Sequence, residues 1–139
     1  MRPRGNTQED YLLRMIRQAA ELLRQLRRRL LGGELSAETI RQDAAVAIDF
    51  LLGPQATVLG VVDPASAVQL VGHPATVGLW TALLDVEADA SEASGDATVA
   101  MQRRARAAAL RDAARHVWGD TDAGPIDADT LAPLEQPES

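Results

Sequence analysis

Residues 8–31, QEDYLLRMIRQAAELLRQLRRRLL, hold the strongest periodic signal in the chain. Leu12, Ile16, Ala19, Leu23, Leu26 and Leu30 recur at alternating steps of four and three, which lays one continuous apolar stripe along an α-helix. Leu13, Met15, Ala20 and Leu22 widen the stripe, as suits a helix embedded in a bundle or dimer rather than a narrow two-stranded seam. Gly32 and Gly33 end it.

The same reading extends outward. Ser36 is a helix N-cap, followed by Ile40, Ala44, Ala47, Ile48 and Leu51 at helical spacing up to the stop at Gly53-Pro54. Gln55 to Val62 reads as an ordered connector. Its valines at 58, 61 and 62 favour extended backbone, but one such run without a partner makes no sheet. Asp63-Pro64 opens a short helix to about Val71, and His73-Pro74 repeats the device for a fourth helix to about Ser94. Asp96 then caps a fifth, running to about Trp118 before Gly119. The expected fold is all-α, with about five helices in a single domain over residues 1–119. Residues 120–139 hold six acids, no base and three prolines, and read as an acidic tail, disordered or loosely docked.

Composition narrows the choices further. The chain has 139 residues, enough for one core and too few for two ordinary domains. It has 25 alanines and 18 leucines against four aromatics, which favours helix and excludes an all-β sandwich or barrel. The absence of cysteine removes disulfides, thiolate catalysis and Cys-ligated metal centres. No apolar run is long enough to span a bilayer, and the N-terminal leucines are interrupted by Arg14, Arg17 and Arg24, so neither a membrane span nor a signal peptide is expected. Cytoplasmic residence is the default, with a membrane-peripheral position as the variant.

Charge is divided along the chain. The formal net charge is −6, yet eight of the 14 arginines precede residue 32, where only three acids stand. The fourth helix carries Asp85, Glu87, Asp89 and Glu92 with no cation, whereas the fifth carries Arg103, Arg104, Arg106, Arg111 and Arg115. Folding the two about Gly95-Asp96 brings Asp85 near Arg106 and Asp89 near Arg103. At least one interhelical ion pair among these residues is expected.

The small residues Ala88, Ala100 and Ala107 around Gly95-Asp96 resemble the close-packing positions of a tetratricopeptide-type hairpin, although Ser91 and Arg104 stand where that repeat has large aromatics. The string from Asp10 to Gln18, DYLLRMIRQ, taken with Asp63-Pro64 and the Gly95-Asp96 hairpin, resembles an uncharacterised bacterial family of short helical proteins with tetratricopeptide-like C-terminal halves. The likeness covers about residues 9 to 117. It implies a bacterial cytoplasmic setting and supplies no catalytic residue.

Catalytic patterns are missing. The sequence has no phosphate-binding glycine loop, nucleophile elbow or histidine metal signature, so no catalytic, metal or cofactor residue is assigned. Asp85, Asp89 and Glu92 share one helix face and read as partners for arginine rather than metal ligands. His73 reads as a turn or capping residue and His116 as a favourable charge at a helix C-terminus. Trp80 and Trp118 read as core or helix-end packing.

The functional expectation therefore rests on the N-terminal helix. A non-catalytic interaction module, scaffold or accessory subunit would dock into an oligomer or larger assembly through Tyr11, Leu12, Ile16, Leu23, Leu26 and Leu30. Arg14, Arg17, Arg24, Arg27 and Arg28 would set orientation and encounter rate. The partner is another protein or a second copy. An anionic membrane surface, or a membrane complex that the chain joins as a soluble subunit, is the alternative. Nucleic acid is disfavoured, because the interleaved aromatics and readout side chains are missing.

Overall fold

A computed structural model describes residues 5–33 and 36–119, with side chains from residue 10 onward. These residues form α1 (Gly5–Gly32), α2 (Ala37–Leu52), a 3-10 turn (Gly53–Gln55), α3 (Ala56–Leu59), α4 (Pro64–Val71), α5 (Pro74–Ala93) and α6 (Ala97–Trp118). The fold is all-helical: five longer helices and the single turn of α3. The acidic tail anticipated at 120–139 lies outside the described residues.

The helix starts follow from local chemistry. The Ser36 hydroxyl accepts the Thr39 N–H at 3.1 Å, and an Asp63 carboxylate oxygen accepts the Ser66 N–H at 3.0 Å. Asp96 accepts the Val99 N–H at 3.2 Å. Each cap satisfies a first-turn amide that the helix itself leaves without a partner. Gly72 closes α4 with φ 71° and Gly95 turns the α5–α6 hairpin with φ 94°, conformations that a residue with a Cβ adopts only at a steric cost.

The segment expected as an ordered connector is ordered through helical turns. Gly60 donates to the Ala56 carbonyl at 3.0 Å, and Val61 and Val62 both donate to the Val58 carbonyl at 3.1 Å. With no strand among the described residues to pair with, the segment satisfies its backbone within itself. Leu59 is buried inward while Val58 and Val61 are left at the surface.

Helix α5 is the axis of the fold. It packs against α6, α2 and α1, and α4 lies against α6. Its apolar residues are buried on nearly every side, from Val77 through Trp80 and Leu83 to Ala90, as befits a helix enclosed by its neighbours. The core joins Ile16, Leu23 and Leu26 of α1 to Ile40 and Leu51 of α2, Leu83 of α5 and Leu110 of α6. Trp80 is buried within it, and Trp118 packs against its edge.

Candidate functional site

The N-terminal helix splits into an inner and an outer side. Ile16, Leu23 and Leu26 are at most 2% exposed, and Leu12 and Leu30 are half-buried against the same core. This corrects the expectation that the stripe is a docking surface. In the folded chain α1 packs against α2 and α5, and the three central residues belong to the buried core, with Leu26 reaching only the floor of the seam between α1 and α2. Heptad-like spacing reports that a helix face is buried, not which chain buries it. Tyr11 remains outside at 59% exposure.

The arginines are placed on the outer side. Arg14, Arg17 and Arg28 are exposed, and Arg24 and Arg27 are half-buried. Arg24 pairs with Glu21, whose other carboxylate oxygen accepts from Gln25 at 3.1 Å. The hydrogen bond from Arg24, and then that from Gln25, hold the Glu21 carboxyl below its ordinary range.

A second apolar feature lies along the outer seam between α1 and α2. Leu22 is 37% exposed, Phe50 40% and Val46 65%. They border a depression of about 280 Å³ that Arg29 of α1 and Asp43 of α2 also line. Beside it, Gln18, Glu21, Leu22 and Phe50 line another of about 350 Å³. Sequence reasoning treated Leu22 as a widening of the apolar stripe and passed over Val46 and Phe50. The available signal was that both lie off the helical set Ile40, Ala44, Ala47, Ile48 and Leu51.

The α5–α6 hairpin brings its acidic and basic faces together, with partners different from those anticipated. Asp85 pairs with Arg111, and Asp89 and Glu92 each accept from Arg104 at 2.7 Å. Glu87, whose side chain is only 7% exposed, is held by Arg103 at 3.1 Å. Arg106 turns away from the carboxylates. It donates to the carbonyls of Leu59 and Val62 at 2.7 and 2.8 Å, and its guanidinium lies 5.9 Å from the Trp80 ring centroid. Burial pulls its pKa below the usual arginine value, and the charge of Asp63 opposes that shift. Arg106 thereby ties α6 to the α3–α4 connection, while Arg103, Arg104 and Arg111 set the hairpin register.

Trp80, Leu84 and Glu87 also face a cleft of about 270 Å³ that Ile48 and Asp49 of α2 and Arg103 and Arg106 of α6 line. Those charges already have partners within the chain, apart from Asp49, whose carbonyl accepts the Gly53 N–H while its carboxylate makes no bond among the described residues. Among the described residues no group of three or more histidines and acids is placed to hold a metal ion. His116 is exposed in the last turn of α6. His73 is the N-cap residue of α5, yet its side chain makes no capping bond.

Comparison with known proteins returns no match: no family model, no curated protein and no solved structure matches this chain. The functional reading therefore rests on the molecule's own surface.

Proposed function

We propose that the protein is a non-catalytic interaction module, a small scaffold or accessory subunit, whose N-terminal helix docks along the outer α1–α2 seam into an assembly containing a second copy of this chain. The observation that carries this reading is the exposure of Leu22, Val46 and Phe50 side by side around the seam depressions. Apolar side chains grouped in this way gain from being covered, at about 25 cal/mol per Å² of apolar area removed from water.

Charge supports a second copy as occupant. Helix α1 carries six arginines against three acids, and α2 carries three acids against one arginine. A two-fold axis through the seam sets the basic helix of each copy across from the acidic helix of the other, which gives a self-complementary contact. Exposed Arg14, Arg17 and Arg28 on the outer face of α1 then speed and orient encounter.

The absence of cysteine makes the test direct. Val46→Cys, placed on the seam, is expected to form an intermolecular disulfide under mild oxidation. Leu70→Cys, which is 52% exposed but away from the seam, is not. Equal cross-linking of both variants, or none of either, counts against self-docking here. Salt-sensitive binding of the full chain to anionic but not neutral vesicles would move the reading to a membrane surface.

A further inference from the structure

A separate groove lies where the end of α2 with the following 3-10 turn, α3, the end of α4 and the start of α5 meet, with Leu12 of α1 on one wall. Its volume is about 500 Å³, within the range of small-molecule sites, about 300–1,000 Å³. Leu51, Leu52, Leu59 and Leu70 supply aliphatic wall and rim, and no charged residue lines it. Its polar side chains are Gln55 on the 3-10 turn and, at the start of α5, His73 and Thr76.

The first turn of α5 is incomplete. Ser36, Asp63 and Asp96 cap α2, α4 and α6 with side-chain oxygens, whereas His73 gives α5 no side-chain cap. Pro74 has no N–H, so the amides of Ala75 and Thr76 are the groups left at the positive end of this 20-residue helix. No acidic residue stands in the first turn to offset that end.

The second observation is independent of the helix end. Thr76 is only 6% exposed, lines the groove, and has its hydroxyl buried without a hydrogen-bond partner among the described residues. The Nδ1 atom of His73, on the same wall, is also buried and unpartnered. Buried polar groups are almost always satisfied, and a hydroxyl without a partner is costly to keep. Two such atoms beside an uncapped helix end, at the head of an aliphatic groove, form an incomplete binding site.

We propose that this groove binds an aliphatic monocarboxylic acid. The carboxylate sits at the start of α5 and accepts hydrogen bonds from the Thr76 hydroxyl and the Ala75 and Thr76 amides. The hydrocarbon chain lies along Leu51, Leu52, Leu59 and Leu70. A carboxylate matches the site because it accepts hydrogen bonds only and carries the charge that a helix N-terminus favours. This inference goes beyond self-docking at the α1–α2 seam and does not depend on it.

The test is calorimetric titration of the full chain with decanoate and with decanol, and amide resonances followed in parallel. Decanoate is expected to bind, to shift the Ala75 and Thr76 amides, and to bind at least about tenfold more tightly than decanol. Thr76→Val removes the hydroxyl at nearly constant shape. It is expected to weaken decanoate about tenfold, to leave decanol unchanged, and not to lower the unfolding midpoint, since no existing hydrogen bond is lost. Leu70→Asp on the exposed rim is expected to abolish decanoate binding with the helical spectrum intact, and decides the matter if the Thr76 variant does not fold. Equal affinity for decanoate and decanol, unmoved amides, or binding unaffected by Leu70→Asp overturns the proposal. So does silence towards both probes, the result expected if the chain's own N-terminal residues fill the groove.

Discussion

Helices α1 and α6 are both arginine-rich, and the fold uses them in opposite ways. On α6, Arg103, Arg104 and Arg111 are bound to carboxylates of α5, and Arg106 to two backbone carbonyls. The residues that α6 buries are mostly small: Ala100, Ala107, Ala114 and one leucine, Leu110. On α1 the buried residues include the large Ile16, Leu23 and Leu26, while Arg14 and Arg17 make no ion pair among the described residues. The lesson is that an arginine's role is set by the helix opposite. Helix α5 presents a row of acids to α6, and among the described residues α1 has no equivalent neighbour for its outer face.

This contrast orders the expected effects of substitution. Leu23→Ala removes a fully buried side chain from the element that relies most on large aliphatics, and is expected to cost about 3 kcal/mol in chemical denaturation. A loss below about 1 kcal/mol would show that α1 is held by something other than its stripe. Arg103→Met leaves Glu87 buried without its cation. The expected loss is about 1–3 kcal/mol, kept to the lower half because the Arg103 side chain is 37% exposed. If the α6 arginines only solvate the helix, this variant melts with the wild type.

Smaller effects sharpen the comparison. Arg111→Ala breaks a part-exposed pair with Asp85 and is expected to cost at most about 1 kcal/mol. Arg14→Gln with Arg17→Gln is expected to stay within about 0.5 kcal/mol of wild type, because neither residue has an ion-pair partner among the described residues to lose. A larger loss from the α1 pair than from Arg111 would reverse the assignment of roles.

The smallest effect is a pH dependence outside both helices. The Ser66 side chain, followed by its backbone N–H, holds the Asp63 carboxyl below its ordinary value of 3.8. A depressed folded-state pKa means that stabilisation is complete above the unfolded value and is lost as pH falls through the folded one. Asp63→Asn keeps a capping oxygen without the charge. Its unfolding midpoint is expected to fall less steeply than wild type between about pH 5 and pH 2. Parallel curves would mean that Asp63 acts only as a neutral cap.

The helices were largely legible in the sequence because their boundaries are local. Ser36, Asp63 and Asp96 mark their starts, and glycines at 53, 72, 95 and 119 their ends, through short-range hydrogen bonds and backbone sterics. The connector was legible as ordered but not as helical, because valine's preference for extended backbone obscures a helical turn and has force only when a partner strand exists. The hairpin's ion pairs were anticipated in kind but not in partner. Long arginine side chains reach a turn or more along the neighbouring helix, so the reflection of one helix onto the other about Gly95-Asp96 misplaces them.

The functional surface was the least legible. Periodicity identified the face of α1 that is buried, but the sequence does not distinguish a face buried by its own chain from one buried by another. Val46 and Phe50 become notable only when α2 is set beside α1. The unpartnered Thr76 hydroxyl has no sequence signature at all, since threonine near a helix start ordinarily finds an acceptor or water.

Helices α1 and α2 together present an inner face to the core and an outer seam that we propose docks a second copy. This division is tested most directly by light scattering and circular dichroism on two paired variants, Ile16→Asp with Leu23→Asp and Val46→Asp with Phe50→Asp. The first pair is expected to lose the helical signal and the cooperative melt. The second is expected to keep both while the assembled mass falls to that of one chain. A folded first pair, or an assembled mass unchanged in the second, would contradict it.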